Sequence, residues 1–163
     1  MKKFFMLSIV TILSLTLTGC GEDVIETKIC TKDKETYIET YELTATNDET
    51  NNVMLTILYN NSLFDVDTLE DLTDEQKEQT KENMLTSLGL EETTYEGFEI
   101  NIDIAKQMTV NIKADLSLAD PGILKKVGLN LDSVEHERSL NEIVEQFTNS
   151  GYTCEDKELE EFE

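Results

Sequence analysis

The sequence predicts an α+β domain in which a largely antiparallel β-sheet carries two main helices packed on it. Several segments alternate apolar and polar residues with a period of two, which is typical of strands with one buried face. A cluster of turn-forming residues joins two of these segments, which indicates a hairpin or meander. Two other segments begin with helix-capping signals and end at a glycine.

The first third of the predicted domain is rich in strands. Strands are predicted over residues 27–31, 36–46 and 53–59. The second strand places four apolar residues on one side, namely Tyr37, Tyr41, Leu43 and Ala45. The third does the same with Val53, Leu55, Ile57 and Tyr59. The polar residues 47–52 between them predict a turn, and hence an antiparallel pairing.

A helix is predicted to begin after Thr73. Thr73 and Gln76 have the spacing of a capping box, and Gly89 provides a stop signal. The apolar residues Met84, Leu85 and Leu88 fall only in its second half. We therefore expect a surface helix that docks through its C-terminal end.

The second half of the chain predicts two strands, a short helix, a long helix and a closing strand. The strands span residues 98–105 and 108–116, and Asp120-Pro121 predicts a short helical turn over 122–127. Ser139 and Glu142 have capping-box spacing ahead of a helix that ends at Gly151. Its apolar stripe is Leu140, Ile143, Val144 and Phe147. Residues 152–154 are predicted to form an edge strand.

The N-terminus has the pattern of an export signal that ends in a lipidated cysteine. Lys2 and Lys3 precede the mostly apolar residues 4–17, which are too few to span a bilayer as a stable helix. Leu17-Thr18-Gly19-Cys20 resembles the bacterial lipobox, in which cleavage before the cysteine accompanies acylation of its thiol. Cys20 is therefore the predicted lipid-attachment site. The alternatives are a plain signal peptide with an incidental cysteine and an uncleaved anchor.

These signals divide the chain into a signal peptide (1–19), a short tether (20–26), a single domain (27–154) and an acidic, disordered tail (155–163). Removing residues 1–19, which contain two lysines and no acid, leaves 144 residues with 11 basic and 35 acidic side chains. The formal charge of −24 disfavours nucleic acid and anionic lipid headgroups as partners. The acidic excess either attracts cations or serves as a solvated, self-repelling surface.

Two cysteines remain once Cys20 is acylated. Cys30 and Cys154 lie near the two ends of the predicted domain, and outside the cytoplasm such a pair can oxidise. We predict a possible disulfide between them. The open alternatives are two buried free thiols and a host that makes few disulfides.

No pattern in the chain predicts catalysis, a cofactor or a metal site. The single histidine, His136, lies between two glutamates, which favours a surface position over a catalytic one. The acidic residues between 65 and 75 lack the order of an EF-hand, so capping and solvation explain them better than calcium does. Five aromatic residues either line a ligand groove beside the sheet or pack in the core, namely Tyr37, Tyr41, Tyr59, Tyr95 and Phe98.

The order of these features resembles the YehR-like family of small bacterial lipoproteins, a domain of unknown function. The resemblance rests on the lipobox, on the β meander, on residues 72–77 (Leu-Thr-Asp-Glu-Gln-Lys), on Tyr95-Glu96-Gly97-Phe98, and on residues 139–147 with Gly151-Tyr152. It implies an α+β fold with a largely antiparallel sheet. It supplies no known activity and no catalytic residues to carry over to this chain.

We therefore expect a non-enzymatic lipoprotein on the extracytoplasmic side of the cell membrane, held there through Cys20. Its domain is expected to bind an envelope ligand or protein, through the sheet face or the cleft under the Thr73 helix. The alternative is a structural or stress-related envelope factor that acts through protein contacts without a small ligand.

Overall fold

A seven-stranded antiparallel sheet with helices on one face forms the architecture, which confirms the predicted α+β fold class. The computed structural model describes residues 23–61, 64, 69–129 and 138–157. The helices are α1 (Asp74–Ser87), α2 (Pro121–Lys126) and α3 (Leu140–Asn149). Within these ranges, no helix has the length and apolar character needed to cross a bilayer.

The sheet contains seven strands in the spatial order β4-β5-β6-β3-β2-β1-β7. They are β1 (Ile25–Lys34), β2 (Tyr37–Thr46), β3 (Glu49–Tyr59), β4 (Thr94–Tyr95), β5 (Phe98–Ile104), β6 (Met108–Asp115) and β7 (Thr153–Asp156). The meander β1-β2-β3 therefore lies in the middle. The later strands extend it on both sides, because β6 pairs with β3 and β7 pairs with β1.

The two faces of the sheet differ sharply in burial. In β5, the four residues Phe98, Ile100, Ile102 and Ile104 are buried, whereas the residues between them are exposed, as their alternation predicts. The buried set faces the helices, which contribute Leu124, Leu140 and Ile143 to the same core. We call this the inner face of the sheet, and the opposite side the outer face.

Local signals determine the ends of the helices. The predicted capping box of α1 is present, with Thr73 and Gln76 each bonding the other's backbone N–H. None of the residues of α1 is fully buried, and Met84, Leu85 and Leu88 pack on the core at its C-terminal end, as expected. The Asp120 carboxylate caps α2 by accepting from the N–H groups of residues 122 and 123.

Several strands run further than the sequence predicts, because strand pairing extends beyond what composition suggests. β1 begins at Ile25, so two residues assigned to the tether belong to the sheet. The predicted six-residue turn is a two-residue turn, Asn47-Asp48, with φ of 54° and 69°. Such a turn matches the twist of a hairpin, so residues 49–52 continue as strand. At the other end, β7 runs to Asp156, two residues past the predicted end of the domain.

Candidate functional site

A trough of about 470 Å³ on the outer face is the best-formed candidate site in the described part of the chain. One transverse row of side chains crosses it from β4 to β2. Register places Thr94 opposite Glu99, Glu99 opposite Lys113, Lys113 opposite Met54, and Met54 opposite Glu42. Because all five side chains project from the same face, they form a continuous lining.

A second row completes the trough nearer the β2–β3 turn. It contains Thr44, Asn52 and Asp115 on neighbouring strands, and Gly97 just before β5. Gly97 has φ of +67°, and a Cβ there would lie 2.6 Å from the backbone nitrogen of Ala119. Only glycine therefore fits this close approach. At the same row the β2–β3 register shifts by one residue, because Thr44 pairs with Asn52 and Ala45 pairs with Thr50.

Lys113 supplies a central positive charge in the trough. It forms no ion pair within the described ranges, although Glu99 lies directly opposite it. Glu42 is paired at 2.8 Å with Lys157, which follows β7. Hydrogen bonds from the Ser117 hydroxyl and backbone N–H hold the pKa of the Asp115 carboxyl below its usual value. The trough therefore offers both charge signs to a ligand.

Next to this trough, a row of uncharged polar side chains crosses six strands of the outer face. In spatial order from β7 to β5 the row is Thr153, Thr31, Thr40, Thr56, Asn111 and Asn101. Some members bond to each other, as in the 3.0 Å bond from the Thr56 hydroxyl to Asn111 Oδ1. This neutral row contrasts with the formal charge of −22 on the whole chain.

The five aromatic residues that the sequence suggested for a groove are divided among three places. Tyr95 and Phe98 border the trough on β4 and β5, but Phe98 is 3% exposed on the inner face and Tyr95, directly opposite it, packs against the same core. Tyr37 and Tyr59 lie beside a smaller cavity of about 130 Å³ at the opposite end of the sheet. Tyr41 is buried in the core, with its ring centre 4.7 Å from that of Phe147. The packing interpretation therefore applies to Tyr41, Tyr95 and Phe98, whereas Tyr37 and Tyr59 border the smaller cavity.

A buried carboxylate on the inner face joins the C-terminal segment to β2. Glu39, which is 9% exposed, accepts a hydrogen bond from the Tyr152 hydroxyl and pairs with Lys34 at 2.8 Å. Burial raises the pKa of Tyr41 to about 12, and burial together with the bond to Glu39 also raises that of Tyr152. Burial acts to lower the pKa of Lys34 because it disfavours the charged ammonium, but the hydrogen bonds to Glu39 and Tyr37 raise this pKa overall. These groups have partners inside the fold, so we interpret the cluster as structural.

The structure brings Cys30 and Cys154 to disulfide distance. They face each other across the β1–β7 pair, and their Sγ atoms lie 2.02 Å apart. Cys30 is fully buried. The bond joins the first strand of the domain to the last.

Other residues considered in the sequence lie outside the described ranges or away from the trough. Cys20, His136, Asp65 and Asp67 lie outside them. Glu70 and Asp71 form part of a short 3-10 turn, and Asp74 and Glu75 begin α1. Within the described ranges, no group of three or more His, Cys, Asp or Glu side chains is arranged to hold a metal ion.

Sequence reasoning did not identify Lys113, Glu99 or Met54 as site residues. Lys113 and Glu99 occupy outward-facing positions of alternating strands, where polar residues are ordinarily expected, and Met54 is an apolar residue at such a position. The sequence signal that could have indicated the site is Lys113 in β6, because the outer-face positions of the other strands contain no basic residue. Strand order was needed to place it beside Met54, because β6 and β3 are not consecutive in the chain.

Comparisons with solved structures show what this fold resembles. The NMR structure of the Escherichia coli YehR protein aligns with a TM-score of 0.60 at 12% identity, covering 85% of this chain and 96% of that one. The NMR structure of a protein from Streptococcus pneumoniae TIGR4 aligns with a TM-score of 0.50 at 12% identity, covering 95% and 97%. No family model and no curated protein matches the sequence. The chain therefore has a YehR-like fold.

Proposed function

We propose that this protein is a lipoprotein of the YehR-like family, tethered through Cys20 to the extracytoplasmic side of the cell membrane, and that its domain is a non-enzymatic binding module. The observation that carries the binding role is the trough on the outer face. The buried residues of the sheet and the helices share the inner face, which leaves the outer side chains accessible. Clefts with a few convergent polar groups are the usual places for small ligands.

The trough favours a small ligand that carries both a positive and a negative group. The Lys113 ammonium can pair with an anionic group, and the Glu99 carboxylate with a cationic one. The Met54 side chain between β6 and β2 offers an apolar contact. Short zwitterionic peptides combine these three properties, so we propose peptide-like ligands as the class.

The neutral row supports a second candidate, in which the outer face contacts another envelope protein and no small ligand is involved. A protein interface removes a large area of surface from water. A broad surface of threonine and asparagine can lose its water without burying a charge, so the cost of forming such an interface is lower. In this case the trough is part of a wider contact surface.

A binding experiment separates these two candidates. Purified domain is titrated calorimetrically with zwitterionic dipeptides, neutral disaccharides and a polyamine. We expect only the dipeptides to bind, and we expect Lys113→Gln to weaken their binding at least tenfold. The matched control is Lys125→Gln, which removes the same charge from exposed α2. If no compound binds, the protein-contact candidate is favoured; equal losses in both variants would mean that the trough is not the site.

The tether is tested separately from the ligand. In a bacterial host, the full chain should incorporate a clickable palmitate analogue and fractionate with membranes. Cys20→Ser should abolish the labelling, whereas Cys30→Ala combined with Cys154→Ala should retain it. Labelling that persists in Cys20→Ser would refute the lipid attachment without affecting the trough.

A further inference from the structure

The N-terminal segment leaves the domain at one end of the sheet, which we call the tether end. The Val24 N–H donates to Asn47 Oδ1 at 3.0 Å, and the Asn47 N–H donates to the Val24 oxygen at 2.8 Å. Asn47 Nδ2 also donates to Asp23 Oδ1 at 2.9 Å. The first described residues are therefore fixed against the β2–β3 turn. The end of β6 lies on this side too, since Asn52 pairs with Asp115.

The large exposed apolar side chains of the described residues are all at this end. Val24 is 57% exposed, Ile25 is 69% exposed and Leu118 is 56% exposed. Leu118 lies in the turn after β6, which is tied to the start of β3 by the hydrogen bond from the Leu116 N–H to the Asn51 oxygen. Three strand spacings, about 14 Å in all, separate β1 from β6. The apolar groups are thus spread across the tether end.

The opposite end of the sheet has a different surface. Its turns contain Glu35 and Thr36 after β1, and Ala105, Lys106 and Gln107 after β5. None of these is a large apolar residue. The asymmetry between the two ends shows that exposed apolar residues are not scattered over the described part of the molecule, and localised patches of this kind mark contact surfaces.

We propose that the tether end rests on the lipid surface, with Val24, Ile25 and Leu118 in the interfacial layer of the bilayer. This rests on the proposed lipid attachment at Cys20. Three residue steps separate Cys20 from Asp23, so even a fully extended tether holds Asp23 within about 10 Å of the acylated residue, and Val24 and Ile25 follow directly. Apolar side chains at that distance can reach the headgroup boundary, where their burial is favourable.

The charges at the tether end select the type of lipid surface. Five exposed acidic residues lie in its described turns and strand ends, namely Asp23, Glu26, Glu49, Glu96 and Asp120. The exposed Lys157 after β7 is the basic residue near them, and it is paired with Glu42 at 2.8 Å. The Arg138 side chain is half-buried and donates to the Leu116 oxygen at 2.6 Å. Anionic headgroups therefore repel this end over roughly the Debye length of 10 Å at 0.1 M salt. We expect the contact to form on zwitterionic lipid and to weaken on anionic lipid at low salt.

The absence of tryptophan from the chain allows a direct test. Lipidated full-length protein carrying Leu118→Trp is reconstituted in phosphatidylcholine vesicles with brominated acyl chains. Gln107→Trp, at the opposite end, is the matched control because it introduces the same side chain. We expect at least twofold stronger quenching and a blue-shifted emission for Leu118→Trp. Mixing in phosphatidylglycerol should reduce the quenching at low salt, and high salt should restore it.

Vesicle flotation distinguishes the two ways in which the proposal can fail. If both tryptophan variants float with the vesicles and are quenched equally weakly, the tether is intact and the docking is refuted. If neither variant floats, the lipid attachment is refuted and the docking with it. Ile25→Trp provides a second reporter if Leu118→Trp folds poorly. Ile25 lies next to the tether and is held near the membrane by the lipid alone, so Leu118 is the decisive site.

Discussion

The Asp48 carboxylate accepts a hydrogen bond from the Ser139 hydroxyl at 2.7 Å, although 91 residues separate them. Its other oxygen accepts from the Asn141 backbone and side-chain nitrogens at 3.1 and 2.9 Å. The Leu140 N–H donates to the Asp48 backbone oxygen at 2.9 Å. A β-turn residue thus caps α3, and a carboxylate at this end also interacts favourably with the helix dipole.

We expect Asp48→Ala to destabilise the domain by about 2 kcal/mol, since it removes the cap and places alanine at a positive φ. Asparagine tolerates that backbone conformation and keeps one acceptor oxygen, so Asp48→Asn should destabilise the domain by about 1 kcal/mol or less. Urea unfolding monitored by circular dichroism measures both. Asp103→Ala, in an exposed β5 position, is the control. Equal stability of Asp48→Ala and that control would argue against the capping role.

The bond between Cys30 and Cys154 closes a long loop, with a sequence separation of 124. The chain-entropy model assigns such a loop roughly 4 to 5 kcal/mol of stability. In a Cys20→Ser background, we therefore expect Cys30→Ala with Cys154→Ala to lower the urea midpoint substantially. Intact mass after alkylation checks the bond itself, and two alkylated thiols in the unreduced protein would disprove it.

Gly97 allows close contact between the β4–β5 turn and the turn after β6. We expect Gly97→Ala to destabilise the domain by about 2 kcal/mol or more, since the new Cβ would meet Leu118 Cβ and Ala119 N, both at 2.6 Å. Gly128→Ala is the matched control, because Gly128 also has a positive φ but its new Cβ would have no neighbouring atom within 4 Å. It should cost only about 1 kcal/mol. Thermal unfolding of both variants tests the difference, and similar melting temperatures would contradict the steric explanation.

Stability should fall at alkaline pH through the tyrosines near Glu39. The folded pKa of Tyr41 is about 12, above the unfolded value near 10, so the folded state retains its proton longer. The resulting stabilisation is complete below about pH 10 and is lost as the pH rises towards about 12. The raised pKa of Lys34 acts in the same direction. Urea unfolding at neutral and at strongly alkaline pH measures the decline, which Tyr41→Phe should flatten.

Features set by neighbouring residues could be predicted from the sequence. The α1 capping box depends on Thr73 and Gln76, three residues apart, and it is present. The α3 cap shows the limit of such reasoning. Ser139 does accept from the Glu142 N–H at 3.4 Å, but the remaining contacts come from Asp48, which no local pattern connects to this helix. The predicted turn over 47–52 is too long for the same reason, because pairing with β2 extends β3 back to Glu49.

The sequence by itself determined the α+β class, the alternation that gives each strand a buried and an exposed side, and the lipobox pattern around Cys20 as a prediction. These depend on residues close together in the chain. Only the tertiary structure decided that β6 lies beside β3, that β7 lies beside β1, and that Lys113 therefore lies beside Met54 in the trough. The physical reason is that period-two alternation specifies which side chains share a face, whereas strand order depends on the joint packing of one core by distant segments.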